Sequence, residues 1–232
     1  MILTEVPEKI SATLDGNKLE VKDGKVTLPF SATAGFIAYT DGTAYYAEGD
    51  EVELSEDAEF TTVAIGAVSM QAGAGIRINV VTGIRFKTDV NLDAIADLIG
   101  LGATLEYGTL ISTKDLIGSG ELTFDSTFTK QNVKYVASLA QTYNVKGFVG
   151  SLAKIKEGNF NREFVGRGYV KVTLGDIQKV IYAENYASTA RSVAYLATAV
   201  IEEAQDDASS SAAYLYANNK ELIDKWAAAY VK

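Results

Sequence analysis

The chain has no cysteine and no histidine among its 232 residues. Without thiols it has no disulfides, no thiolate nucleophile and no cysteine-ligated metal site. Without imidazoles it lacks the commonest general base, the commonest transition-metal ligand and the side chain that titrates near neutral pH. Few enzyme mechanisms survive both losses. The composition therefore predicts a non-enzymatic protein with no cofactor and no bound metal.

An excess of positive charge is also missing, because the formal net charge is −9 and the sequence pI is about 4.7. A field of that sign repels phosphate backbones, so nucleic acid is not an expected partner. No apolar run approaches the length of a membrane span, which predicts no membrane insertion. The opening residues, MILTEVPEKI, lack a basic stretch followed by an apolar core and predict no secretory signal.

The residues that are present are those of a packed globular protein, with 47% hydrophobic and 22% charged side chains. Tyrosine dominates the large aromatic residues, with 13 copies against a single tryptophan, Trp226. Because tyrosine joins an apolar ring to a polar hydroxyl, it suits both half-buried strands and exposed binding faces.

Residues 1–65 predict a small all-β domain. Alternating polar and apolar runs are separated there by the pairs Asp15-Gly16, Asp23-Gly24 and Asp41-Gly42. Asp-Gly between such runs predicts a hairpin, because both central positions of a type I′ turn need positive φ. The segment EVELSEDAEFTTVAI adds a strand, an acidic turn and a closing strand.

Residues 66–232 predict an α+β domain with a mainly antiparallel sheet and helices toward the C-terminus, so the whole chain is predicted to be β-rich α+β. Strand character is found in AGIRINV, GIRFKTDV, ATLEYGTLIS, ELTFDSTF, KGFVGSLAKI, REFVGRGYVKVTL and QKVIYAE. The segment from Gln131 to Tyr143 fits a helix by its apolar spacing and a strand by its local alternation, so both interpretations stay open.

The segment NLDAIADLIG predicts a short helix that is capped by Asn91 and ends at Gly100. Its apolar residues at helical spacing predict a buried face formed by Leu92, Ile95, Ala96 and Ile99.

Two helices are predicted near the C-terminus. Residues 188–204 carry an apolar stripe at helical spacing, and a polar break follows at 206–211. A last helix is predicted to begin at Asn218, because Glu221 follows three residues later in a capping arrangement. Its buried face is predicted to consist of Leu222, Ile223, Trp226 and Tyr230.

Residues 35–65, GFIAYTDGTAYYAEGDEVELSEDAEFTTVAI, resemble the small β-rich repeat of bacterial surface proteins of the Listeria–Bacteroides type. That repeat has a Gly-aromatic start, a DGT turn, a Tyr-rich strand, an AGD-type turn and a closing strand. Here Phe36 stands where many members have Trp, and AEGD replaces AGD. The resemblance implies a β-fold, of the Ig-like or β-grasp-like kind, and a surface setting.

Residues 66–200 are similar to a module of multidomain surface proteins of gut Firmicutes. The resemblance is carried, in this order, by GAGIRINVVTGIRFKTDV, LEYGTLIS, SLAKIKEGNFNREFVGRGYVKVTL and ARSVAYLA. It implies an exterior location and no catalytic residue. Members sit inside large exported chains, whereas this sequence begins at Met1 without a signal. Two settings therefore stay open: a bacterial cell surface, or a virion on which the module decorates a capsid or fibre.

Tyrosines around the Asp41-Gly42 turn are the first candidate ligand-binding residues. Tyr39, Tyr45 and Tyr46 could stack on sugar rings, or pair across the strands of the hairpin, which is the more ordinary use of such residues.

Charged residues in the blocks that resemble the Firmicutes module are the second candidate set. We predict ligand-binding roles for Arg77, Arg85, Glu106, Arg167 and Arg191. The planar fork of arginine can grip a carboxylate or sugar hydroxyls. The alternative is an internal ion-pair network, which is favoured because buried charges are normally paired.

An acidic set between residues 48 and 59 invites a calcium hypothesis, but the chain has no D-x-[DN]-x-[DN]-G loop, so a solvated acidic edge is favoured. The tetrad from Ser151 to Lys154 matches S-x-x-K, yet S-D-N and K-T-G are missing and the stretch is predicted to be a strand. Paired carboxylates could still hydrolyse a glycoside without histidine or cysteine, so a carbohydrate-active enzyme is the alternative function.

The sequence therefore predicts a non-enzymatic structural or interaction protein on an exterior surface, either of a virion or of a bacterial cell. Its expected partners are other surface or virion proteins, glycans and further copies of the chain.

Overall fold

The computed structural model describes residues 10–78, 82–126, 131–135, 140–142 and 145–230. Over these residues the protein is β-rich, with several mainly antiparallel sheets and four α-helices that lie mostly toward the C-terminus, as the sequence predicts. None of the helices in these ranges is both long enough and apolar enough to span a membrane.

The chain divides into two compact units, of which the first contains Met1–Gly66, Asp93–Leu105 and Val172–Lys179. The second contains Ala67–Leu92, Glu106–Lys171 and Val180–Lys232. The predicted 1–65 and 66–232 domains stay a prediction; the first unit adds two later segments to the N-terminal residues.

The N-terminal residues of the first unit form eight strands: β1 (Ala12–Leu14), β2 (Asn17–Leu19), β3 (Val21–Lys22), β4 (Lys25–Thr27), β5 (Phe36–Thr40), β6 (Tyr45–Tyr46), β7 (Glu51–Glu53) and β8 (Ala58–Ala64). One sheet has the order β2-β1-β8-β5-β6 and another the order β3-β4-β7. β1 and β8 are parallel, whereas β1 with β2, β3 with β4, β4 with β7, and β5 with both β6 and β8 are antiparallel pairs. The core is built around Val26, Leu28, Tyr39 and Phe60.

Two of the three predicted Asp-Gly hairpins have the expected turn. φ is 49° at Asp15 and 77° at Gly16, and 53° at Asp23 and 75° at Gly24, as a type I′ turn requires. The third hairpin joins β5 to β6 by a longer loop, in which only Gly42 has positive φ. The Asp41 carboxylate there accepts hydrogen bonds from the backbone of Thr43 and Ala44, both at 2.8 Å. The hydrogen bonds to the Asp41 side chain thus stabilise this loop, so that it does not need a second residue with positive φ.

The second unit is built mainly from β9 (Ser69–Met70), β10 (Gly75–Arg77), β11 (Gly83–Asp89), β12 (Thr104–Thr113), β13 (Gln131–Tyr135), β14 (Ala140–Thr142), β15 (Val145–Ala153), β16 (Phe164–Leu174) and β17 (Ile177–Tyr182). One sheet has the order β10-β11-β15-β14, with β9 also paired to β11. The other has the order β13-β12-β16-β17. The ambiguous segment from Gln131 is therefore strand where it is described, and Tyr143 lies outside the described residues.

These two sheets pack against each other at glycines. Side chains of the facing sheet occupy the space that a side chain at these positions would fill. A Cβ at Gly166 would lie 2.4 Å from Phe86, and one at Gly168 would lie 2.3 Å from Thr88. A Cβ at Gly150 would likewise lie 2.3 Å from Thr109. The pair Gly166/Gly168 thus permits close packing between the two sheets.

The first helix, α1 (Leu92–Gly100), forms where it is predicted, but its buried face is different. Ile95 and Leu98 are buried, whereas Ile99 is exposed. The helix also exits through Gly102 rather than Gly100: Gly102 has φ 89°, and the next amide, that of Ala103, donates to the carbonyl of Leu98 at 3.0 Å. This is the Schellman arrangement, which needs glycine one residue beyond the cap.

The segment ELTFDSTF is not a strand over its described residues, 121–126. The backbone amide of Leu122 donates to Tyr186 Oη at 3.4 Å, and that of Phe124 to Tyr182 Oη at 3.2 Å. Tyrosine hydroxyls thus satisfy two backbone donors that a strand would present to a neighbour. The remaining residues of the segment, 127 and 128, lie outside the described residues, as do 79 and 80 of AGIRINV.

The remaining helices are α2 (Lys114–Ile117), α3 (Val193–Asp206) and α4 (Ser211–Ala227). α3 begins five residues after the predicted start, because Tyr186–Thr189 forms a 3₁₀ turn and Ser192 caps the helix. α4 begins at Ser211 with Ser210 as its cap, not at Asn218. The Asn218 signal marks a kink instead, since Asn219 has the non-helical angles φ −141° and ψ 29°.

Candidate functional site

The three candidate tyrosines belong to the first unit and are used by its own fold. Tyr39 is only 2% exposed, and its hydroxyl donates to the carbonyl of Pro29 at 3.0 Å. Burial raises the pKa of Tyr39. Tyr46 lies directly across from Tyr39 and packs edge-on against Phe60, with ring centroids 5.6 Å apart. Tyr45 donates its hydroxyl to the carbonyl of Leu101 at 3.2 Å. These contacts are those of cross-strand and interior packing.

Tyr46 and Asp41 form a hydrogen bond that shifts the pKa of both side chains. Tyr46 Oη donates to Asp41 Oδ2 at 2.7 Å, and this hydrogen bond, with burial, raises the pKa of Tyr46 to about 12. Burial acts to raise the pKa of Asp41, but hydrogen bonds from Tyr46, Ala44 and Thr43 outweigh it and hold that pKa well below its usual range.

Arg167 is the most buried of the candidate arginines, with 4% of its surface exposed. Its Nε donates to the carbonyl of Ala183 at 2.7 Å, and its Nη1 to the carbonyl of Leu122 at 3.1 Å. The guanidinium carbon lies 4.6 Å from the ring centroids of both Tyr182 and Tyr186. The guanidinium group therefore binds residues of the second unit itself, and Arg167 acts as an internal anchor.

Glu121 completes the surroundings of Arg167, because its Oε1 lies 2.7 Å from Nη1. Glu121 itself is largely exposed. Through Leu122 and Glu121, the arginine holds the 121–126 segment against the strand that carries it.

The other candidates of the second unit lie apart from this anchor. Glu106 is half-buried on β12 and accepts a hydrogen bond from Tyr169 Oη at 3.4 Å. Arg77 and Arg85 are half-buried on the neighbouring strands β10 and β11. Arg191 lies just before α3 and is among the residues that line an open cleft.

We call this opening the Arg191 cleft; its volume is about 440 Å³, and its lining consists of Asn161, Glu163, Ala190, Arg191, Ser192, Tyr195 and Tyr230. A volume of this order is typical of small-molecule sites. The rings of Tyr195 and Tyr230 meet edge to face, with centroids 5.8 Å apart. The guanidinium carbon of Arg191 lies 5.5 Å from the centroid of Tyr195. Aromatic rings and a fixed cation thus share one opening.

Backbone contacts fix the two sides of the cleft relative to each other. The amide of Phe164 donates to the carbonyl of Arg191 at 2.9 Å, and the amide of Arg191 donates back at 3.1 Å. Glu163, next to Phe164, is therefore held beside the segment that carries Arg191. Ser192 Oγ accepts a hydrogen bond from the amide of Tyr195 at 3.0 Å, which sets the first turn of α3 and the position of that tyrosine.

Charge in the cleft is mixed. Glu163 Oε2 forms an exposed ion pair with Lys114 at 2.7 Å. Nη1 of Arg191 donates to the carbonyl of Ala190 at 2.6 Å, which leaves the rest of its fork directed away from that carbonyl. The lining can donate hydrogen bonds from Arg191, Asn161 and the tyrosine hydroxyls, and accept them at Glu163.

Within the described ranges, no three Asp or Glu side chains come together in a group that could hold a metal ion. Members of the acidic set instead have separate partners: Glu48 pairs with Lys179 at 2.8 Å, and Glu51 pairs with Lys25 at 2.7 Å. The hydrogen bond from Lys179 lowers the pKa of Glu48. Ser151, from the S-x-x-K match, lies in β15, which agrees with the predicted strand.

Sequence reasoning missed Tyr195 as a candidate and assigned Tyr230 to a buried face. Tyr195 lies off the apolar stripe of α3 and is 42% exposed. An aromatic residue outside the buried stripe of an amphipathic helix was the available signal. Nothing in the local sequence places Asn161 or Tyr230 at the same opening, because the three come from different parts of the fold.

No protein-family model matches the chain, and no curated protein matches it closely enough to indicate a relationship. Among solved structures, the chain is similar to a DUF3823 family protein from Bacteroides ovatus ATCC 8483. The sequences are 14% identical, the match covers 75% of this chain and 98% of the other, and the TM-score is 0.27. A likeness at that level carries no argument about function, and the two resemblances drawn from the sequence stay predictions.

Proposed function

We propose that this chain is a non-enzymatic interaction protein of an exterior surface that binds glycans in the Arg191 cleft. The observation that carries the proposal is the pairing of Tyr195 and Tyr230 beside Arg191 in one opening. Sugar rings present apolar C–H faces that pack on aromatic rings, while their hydroxyls hydrogen-bond to polar side chains at the edge. The lining supplies both kinds of contact.

A carbohydrate-active enzyme with a carboxylate pair is a weaker fit to the same opening. Glycoside hydrolysis by that route needs two carboxyl groups on opposite sides of the scissile bond. Among the described residues, Glu163 is the one carboxylate in the lining, and it is ion-paired to Lys114. The geometry therefore favours holding a sugar over cleaving it.

The test is a glycan array probed with the full chain and with Tyr195→Ala. Because Tyr195 is partly exposed and its ring lines the cleft, the variant should stay folded and lose most of its array signal. Tyr214→Ala is the matched control, since Tyr214 is 75% exposed on α4 and lies outside the cleft lining. Equal signals from both variants, or no signal from the wild type, would reject the cleft as a glycan site.

The exterior setting has its own test. Copurification of the chain with phage particles would support the virion, whereas a longer parent chain with a signal and a wall anchor would support the bacterial surface. Recovery from cell lysate without either association would reject both settings.

A further inference from the structure

One face of the sheet formed by β10, β11 and β15 carries a row of cations. Side chains alternate along a strand, and Ile84, Phe86 and Thr88 of β11 are buried on one face. Arg85 and Lys87 therefore lie on the other face. Arg77 of β10 pairs with Gly83, which is on the same side as Arg85. Arg77, Arg85 and Lys87 are all half-buried, and we call them the basic row.

The basic row has no counter-charge of its own among the described residues. None of its members takes part in an ion pair there, whereas Lys25, Lys114, Arg162 and Arg167 all do. Nε of Arg85 is buried without a hydrogen-bond partner. Asp89, the carboxylate on the same face of β11, is already occupied by the Gln71 side chain and by the amide of Lys146. In a chain of net charge −9, three cations on one sheet face that form no ion pair with any described residue are unusual.

The cross-strand neighbours of Arg77 and Arg85 are small residues. Arg85 lies between Gly75 on β10 and Ser151 on β15, and Arg77 lies next to Gly83. The stem of Arg85 packs over Gly75, where an added Cβ would lie 3.3 Å from Nε. Beside Arg85, a chain-like ligand on this face would therefore meet Gly75 and Ser151, whereas beside Lys87 it would meet the larger Val149.

The basic row continues toward the Arg191 cleft. A Cβ at Gly73 would lie 3.4 Å from Nη2 of Arg191, and Gly73 is only two residues from Gly75. From the reach of the backbone, the guanidinium groups of Arg191 and Arg85 lie within about 17 Å of each other. A short oligosaccharide bound in the cleft can cover that distance.

We propose that the ligand of this protein is an anionic polysaccharide, whose carboxylate or sulfate groups pair with Arg191 and the basic row. This inference rests on the proposed function of the cleft. Local charge complementarity supports it, because arginine forks match carboxylate and sulfate oxygens, and at about 0.15 M salt the repulsion from acidic groups more than about 8 Å away is largely screened. A second copy of the chain, docking through its acidic residues, is the competing occupant.

The experiment measures binding of the full chain to three immobilised probes: polygalacturonate, its fully methyl-esterified neutral form, and a sulfated heparin oligosaccharide. We expect binding to at least one charged probe, with affinity about tenfold or more above that for the neutral ester. Arg77→Gln combined with Arg85→Gln should remove that preference. Lys156→Gln, which neutralises an exposed cation outside the basic row, should keep it.

The outcomes separate this inference from the proposed function. Equal binding to the charged and neutral probes, lost in Tyr195→Ala, would overturn the anionic ligand and keep glycan binding. Binding to none of the probes, with no signal on the glycan array, would overturn both. A mass in light scattering above that of one chain, returned to one chain by the double variant but not by Lys156→Gln, would replace the polysaccharide with a second copy. Thermal unfolding of each variant shows whether the fold is retained.

Discussion

The two compact units use the same residue types differently. In the first unit, the tyrosines donate their hydroxyls to the protein itself, and Lys25 and Lys179 are ion-paired. In the second unit, Arg167 is also bound to residues of the protein itself. Tyr195, however, is partly exposed, and the basic row has no counter-charge among the described residues. The comparison teaches that a tyrosine-rich strand does not by itself indicate a binding face. Charged side chains that form no ion pair with a described residue are the better indicator, and the basic row of the second unit consists of such side chains.

The largest expected effect comes from Arg167, the internal anchor of the second unit. Arg167→Ala leaves the carbonyls of Ala183 and Leu122 without their donor and removes a cation held between two tyrosine rings. We expect a loss of roughly 3 kcal/mol in the free energy of unfolding, measured by urea denaturation.

Arg162→Ala is the control for Arg167, because Arg162 pairs with Asp115 at a largely exposed position. Its removal should cost less than about 1 kcal/mol. If Arg167→Ala instead kept its stability and lost glycan binding, Arg167 would be a ligand-binding residue. Its assignment as an internal anchor would then be wrong.

The next effect tests the glycine contacts between the two sheets of the second unit. Gly166→Ala would place a methyl group 2.4 Å from the ring of Phe86, and we expect a cost of about 2 kcal/mol in stability because buried overpacking is not relieved cheaply. Gly158→Ala, with no atom within 4 Å of the added Cβ, should change stability by less than about 0.5 kcal/mol. Equal stabilities of the two variants would show that the sheets can move apart.

Much of the strand pattern could be predicted because it rests on local rules. Alternation and Asp-Gly pairs are properties of a few neighbouring residues, and the turns at Asp15 and Asp23 follow them. The turn at Asp41 does not, because the carboxylate binds the loop backbone and a longer loop becomes stable. A side chain that competes with the backbone for its hydrogen bonds cannot be recognised from alternation alone.

The errors elsewhere come from contacts that are distant in sequence. The 121–126 segment has strand-like residues, yet its amides are satisfied by Tyr182 and Tyr186, which follow about 60 positions later. Arg191 was a candidate from its residue type, but the rest of its cleft is brought together by the pairing of Phe164 with Arg191. Glu221 predicts a helix start at Asn218, whereas the Asn218 side chain donates to the carbonyl of Tyr214 one turn earlier, within α4.

The smallest expected effect is a pH dependence in the first unit, where Tyr46 donates to the Asp41 carboxylate. The pKa of Asp41 is lower in the folded chain than in the unfolded one, so the stability this contact provides is present above about pH 4 and is lost as the pH falls further. The pKa of Tyr46 is raised to about 12, so at the alkaline end the same contribution is present below about pH 10 and is lost as the pH approaches 12. The difference in unfolding free energy between the wild type and Tyr46→Phe should therefore be largest between these limits and shrink at both ends.

Tyr45→Phe is the control at the acid end, because Tyr45 donates to a carbonyl, which does not titrate, and its difference should stay flat there. A Tyr46→Phe difference that is also flat below pH 4 would mean that the contact between Tyr46 and Asp41 does not depend on the charge of Asp41.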